Sequence, residues 1–157
     1  MTLILKKEHS KLIYRVSFLS LVTSSYGFYQ GHVVAVFPAC VFLTSVNYWR
    51  EPKLHSWQRK LDIVVVNVSV LSNYYLMYDA EYAKICYCIS LLGLACYPIE
   101  KYFYYRNQHL ITTYLHILLH ILLNTSLIIL YSGYIFKTET QTVFQPHTQS
   151  PPQPLLE

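Results

Sequence analysis

The chain has 157 residues, enough for one ordinary soluble domain, but 54% of them are hydrophobic and only 13% are charged. That balance excludes a highly charged, solvated chain. No nucleic-acid-binding motif accompanies the formal charge of +4, so the basic residues need another explanation.

Taken in chain order, the apolar start Met1 to Leu5 precedes the first basic residues instead of following them. No small-residue cleavage site closes an apolar run, so a signal peptide is not indicated and the first helix is expected to stay as an anchor. Charges are absent from Val16 to Trp49, from Ile63 to Tyr78, from Ile85 to Ile99 and from Asn107 to Phe136. A bilayer core about 30 Å thick takes roughly 20 residues of helix. The first of these stretches is therefore long enough for two crossings, with Tyr29-Gln30-Gly31-His32 as the turn between them. The spacing predicts helices over 12–29, 32–49, 62–78, 82–99 and 110–135. The expected fold is all-α: a polytopic integral membrane protein with about five transmembrane helices in one domain over 1–136.

The basic residues test this layout, because Lys and Arg collect on the cytoplasmic side. With a cytoplasmic N-terminus, Lys6, Lys7, Lys11, Arg15, Arg50, Lys53, Arg59, Lys60, Lys101 and Arg106 all fall inside. Only Lys84 and Lys137 fall outside. The chain has 16 Tyr. Tyr26, Tyr29, Tyr78, Tyr82, Tyr131 and Tyr134 are expected at the outer interface, and Tyr48, Trp49, Tyr97 and Tyr102 at the inner one. The 137–157 tail is polar and carries Pro146, Pro151, Pro152 and Pro154; it is expected to be disordered. Cys40, Cys86, Cys88 and Cys96 lie within the spans and read as small packing residues, not a disulfide framework.

Polar residues inside a bilayer are costly and turn toward the bundle interior. In the last span Thr112, His116, His120 and Asn124 recur every four residues, which puts them on one helix face. His116 and His120, one turn apart, suit either a shared metal such as zinc or hydrogen bonding across helices. Near the cytoplasmic ends of the second and third spans stand Ser45, Asn47, His55 and Asp62. The helical rise places Ser45, Asp62 and His116 at similar depth, with His120 nearer the midplane. Taken alone, Asp62 also suits a helix N-terminus, pairing with Arg59 or Lys60. Ser17, Ser20, Ser24 and Gly27 form a small-residue stripe suited to close helix packing. Ser69 and Asn73 share one side of the third span and can bond to a neighbouring helix.

The run Leu43-Thr44-Ser45-Val46-Asn47-Tyr48-Trp49, followed by His55-Ser56 and Lys60-Leu61-Asp62, resembles the CREST superfamily of membrane proteins. That superfamily includes alkaline ceramidases and adiponectin-receptor-type proteins. The resemblance covers roughly residues 43–62 and 112–124, and Ser45, Asp62, His116 and His120 match its polar positions in order. It implies a zinc site on His116 and His120, with His55 or water completing the shell. It further implies Asp62 as general base, Ser45 as donor to a developing oxyanion, and a lipid amide as substrate. This sequence departs from the pattern at Trp49, where the family has a histidine, and in having room for about five helices instead of seven. Two expectations therefore stand together. One is a small non-enzymatic or degenerate relative, in contact with membrane lipids. The other is a zinc-dependent intramembrane hydrolase.

Overall fold

The computed structural model describes residues 7–135, which excludes the tail over 137–157. The described residues form α1 (Lys7–Val16), α2 (Phe18–Tyr29), a 3-10 turn (Val33–Ala35) leading into α3 (Val36–Trp49), α4 (Trp57–Met77), α5 (Ala83–Tyr105) and α6 (His109–Ser132). They contain no strand; an isolated bridge joins Ala80 and Ile135. The fold is all-α. Two of its helices, α5 with 23 residues and α6 with 24, are long and apolar enough to cross a membrane. At the helical rise each is about 35 Å long.

The element boundaries differ from expectation in ways the sequence explains. The first helix begins at Lys7 and bends at Ser17, where the Ser17 hydroxyl donates to the Ile13 carbonyl at 3.0 Å. Such back-bonding of a serine competes with the ladder and bends helices. α4 starts at Trp57, five residues before the expected 62, because Ser56 caps it: its hydroxyl accepts from the Arg59 backbone N–H at 3.3 Å. Asp62 is therefore in the second turn of α4, not at its mouth. α5 runs through Pro98 to Tyr105, so Glu100 and Lys101 are helical instead of forming a loop. The turn residues behave as chemistry requires, with Gly31 at φ 82 and Asn107 at φ 58, both left-handed.

α5 and α6 form a closely packed antiparallel hairpin, and α3 and α4 form a second. α1 and α2 lie against α6 and α3. The Ser17/Ser20/Ser24/Gly27 stripe is buried as expected. Ser24 donates to the Ala35 carbonyl at 2.7 Å, and Gly27 lets Ala35 and Tyr131 come close. Tyr29 and Tyr78 are strongly exposed, but Tyr131, Tyr48 and Trp49 are buried. Tyr131 is drawn inward because its hydroxyl donates to Asn73 Oδ1 at 3.3 Å, while its ring completes the core with Met77, Cys86 and Leu130. All four cysteines are free, and Cys86 and Cys96 are buried.

A Cβ on Gly27 would sit 2.6 Å from the Ala35 Cβ and 2.7 Å from the Tyr131 ring. Gly27→Ala is expected to destabilise the fold by about 1–3 kcal/mol through overpacking. Denaturant titration of the detergent-solubilised protein, followed by helical circular dichroism, checks this; an unchanged midpoint would contradict it.

Candidate functional site

The two hairpins bring their polar residues face to face. On the α3–α4 side, Ser45 and Thr44 donate to the same oxygen of Asp62, Oδ1, at 2.8 and 2.9 Å. This satisfies Asp62 from α3, not from the basic residues of its own helix. No hydrogen bond to its other oxygen forms among the described residues.

On the α5–α6 side, the His116 Nδ1–H donates to Glu100 Oε2 at 2.9 Å. A carboxylate only accepts, so the bond fixes which ring nitrogen carries the proton and leaves Nε2 as the free one. Both side chains of this pair are largely buried, whereas the Lys53–Glu51 pair in the α3–α4 loop is exposed and contributes little. Trp49 meets His116 edge-on, with ring centroids 4.9 Å apart, and the His116 and His120 centroids are 5.1 Å apart. His120 is 7% exposed, and among the described residues no hydrogen bond reaches its ring. Deeper on the same stripe, Asn124 Oδ1 accepts from Thr23 at 2.8 Å, which ties α6 to α2.

Between the hairpins lies a cavity of about 430 Å³. Ser45, Asp62, His116 and His120 line it together, so the four residues singled out in the sequence do share one space. His55 is exposed in the α3–α4 loop and does not line it. Ser69 and Asn73 also reach the wall, bonded to each other within α4 and, through Asn73, to Tyr131.

Sequence reasoning passed over Glu100, reading it as a span boundary. A signal was present: Cys86, Ser90, Gly93, Cys96 and Glu100 recur at helical spacing and are the buried residues of α5. It also passed over Thr44, adjacent to Ser45, and Thr23, whose partner is remote in sequence.

Two imidazoles on one helix are one short of the three protein ligands a catalytic zinc ordinarily has. Among the described residues, no group of three or more His, Cys, Asp or Glu is placed to hold a metal ion. The ring of Trp49 packs against His116, and it supplies no ligand. These residues do not make a complete zinc site by themselves.

Comparison with protein-family models, with curated proteins and with solved structures gives no match.

The buried pair carries a testable energy. Glu100→Ala leaves the His116 Nδ1–H without its acceptor and is expected to cost about 1–3 kcal/mol. A double-mutant cycle with His116→Ala, read by denaturant unfolding in detergent, should give a coupling of at least about 0.5 kcal/mol. Strict additivity would mean the two side chains do not support each other.

Proposed function

We propose that the chain is a non-enzymatic multi-pass membrane protein, with five spans and a cytoplasmic N-terminus, whose cavity accommodates a single lipid-like chain. One observation carries this reading: the bundle is inverted in polarity. Its buried side chains are mainly Ser, Thr, Asn, His, Asp and Glu, whereas Leu43, Leu71, Leu91 and Leu92 are between 57% and 71% exposed. Water would penalise so much contiguous apolar surface, whereas lipid tails are as apolar as Leu. In a bilayer the buried polar groups supply the contacts that hold helices together.

The cavity fits the same setting. α4 and α5 meet at their linked ends, where the Tyr87 hydroxyl donates to the Tyr74 carbonyl at 2.9 Å and Ser90 donates to the Tyr74 hydroxyl at 3.0 Å. Toward Asp62 and Glu100 they separate, and the exposed residues Ile63, Asn67 and Tyr97 there also line the cavity. A mouth between two helices admits a chain sideways from the lipid. The volume lies within the usual range of small-ligand pockets. In this reading the chain is a degenerate relative of the CREST membrane hydrolases, with Trp49 packed against His116 in place of a ligand.

A second reading, a zinc-dependent intramembrane hydrolase acting on a lipid amide, has one observation in its favour. Metal-binding histidines commonly donate their other ring N–H to a carboxylate, as His116 does to Glu100. His116 and His120 would be ligands, with His55 recruited from the loop, and Asp62 and Ser45 would have the reactive roles.

Topology and metal content separate these possibilities. In a cysteine-free background, a reporter cysteine at position 56 should label from the cytoplasm and one at position 145 from the opposite face. Labelling of both from one side would remove the five-span layout. Protein purified without chelator should carry well under one zinc per chain. Stoichiometric zinc, lost in both His116→Ala and His120→Ala, would instead establish the hydrolase-type site.

A further inference from the structure

We propose that the polar end of the cavity selects a protonated primary amine carried on a single alkyl chain; this rests on the chain-binding reading above and specifies the head group. The hydrogen-bond inventory is lopsided. Asp62 Oδ1 is taken by Thr44 and Ser45, and its second oxygen has no partner among the described residues. His116 donates its Nδ1–H to Glu100, so its Nε2 is an acceptor when the ring is neutral. His120 is more than nine-tenths buried, lines the cavity, and has no hydrogen bond to its ring. A neutral imidazole offers one acceptor and one donor. The end of the cavity therefore holds more acceptors than donors, and what fits it is a head group rich in N–H.

The charge balance points the same way. Asp62 lines the cavity and Glu100 stands directly behind His116. Among the described residues, no Lys or Arg lines the space. Asp62 thus brings a carboxyl group to the wall with only two hydroxyls for partners among the described residues, and a buried charge needs a partner. One ammonium supplies it as a compact cation with up to three donors. An anionic head would instead face uncompensated carboxylate, and a quaternary ammonium would bring charge without N–H.

The rest of the wall offers an alkyl chain apolar side chains. Val66 and Val70 from α4, Leu94 from α5, and Leu119, Leu123 and Leu127 from α6 line the cavity beside Ser69, Asn73, Ser90 and Asn124, which bond to protein partners. Lining residues on α4 run from Asp62 to Met77, about 22 Å at the helical rise. A cavity of 430 Å³ spread over such a length is narrow, with room for one chain side by side with its wall.

The test uses the full chain in nanodiscs with Trp57→Phe, which removes the exposed indole and leaves Trp49, next to His116, as the only fluorophore of its kind. Dodecylamine, dodecanol, dodecanoate and dodecyltrimethylammonium are titrated at pH 7, with concentrations corrected for partition into the nanodisc lipid. Dodecylamine is expected to shift Trp49 emission with at least about tenfold higher affinity than the other three. Asp62→Asn should remove that preference while leaving dodecanol binding in place, and Ser45→Ala should weaken it less. Equal affinity for amine and alcohol, or a preference for dodecanoate, would overturn the head-group assignment while preserving the chain-binding reading. Binding of none of the four, in protein with wild-type helical content, would overturn both. A selectivity for amine that Asp62→Asn leaves intact would place the selecting group elsewhere and overturn this site.

Discussion

The polar stripe on α6 is the constraint around which the bundle is arranged. A helix that is otherwise Leu and Ile carries Thr112, His116, His120 and Asn124 on one face, and each must be satisfied from within the protein if the helix lies in lipid. Different neighbours meet the demand. Thr112 bonds back to the Gln108 carbonyl at 3.1 Å, α5 supplies Glu100 for His116, and α2 supplies Thr23 for Asn124. Tyr131, near the end of the same helix, reaches Asn73 on α4. α6 is thereby bonded to three other helices at successive depths. Only His120 in the stripe has no partner for its side chain, and that is where the cavity begins.

Asp62 shows how a local rule yields to tertiary structure. A carboxylate beside basic residues early in a helix reads most simply as a partner of the dipole or of Arg59 and Lys60. The cap at Ser56 moves the helix start back by more than a turn, and Asp62 then faces α3 rather than the helix mouth. There the two adjacent hydroxyls of Thr44 and Ser45 converge on one oxygen. Hydrogen bonds to a charged acceptor at a largely dry position contribute more than neutral ones. They tie α3 to α4 on a wall of the cavity that His116 also lines.

How much was legible follows from which signals are local. Charge-free runs, the Gly31 turn and the four-residue repeat on α6 are properties of contiguous sequence, and they located the helices and the polar face. Depth, counted from the ends of runs at 1.5 Å per residue, suggested Ser45, Asp62 and His116 as neighbours, and the three line one cavity. Glu100 was missed because a charge at the end of an apolar run reads as an exit from the membrane. Pro98 stands just before it, and proline commonly ends a helix. α5 continues regardless, supported along its length by α6. Thr23 and Asn124 are 101 positions apart, and no single-sequence pattern pairs residues at that distance. The aromatic residues divide by the same logic: interfacial preference placed Tyr29 and Tyr78 on the surface, whereas Tyr131 and Trp49 are held inside by partners that composition does not reveal.

The size of the cavity bears on what the protein does with it. The cavity opens between α4 and α5, so in the proposed setting its walls decide what occupies its 430 Å³. Ser69, Asn73, Ser90 and Asn124 on those walls are bonded within the protein, and the Val and Leu side chains beside them offer water no partner. On the proposed reading, a lipid chain entering between α4 and α5 would cover those Val and Leu side chains, and its head would meet Asp62, His116 and His120.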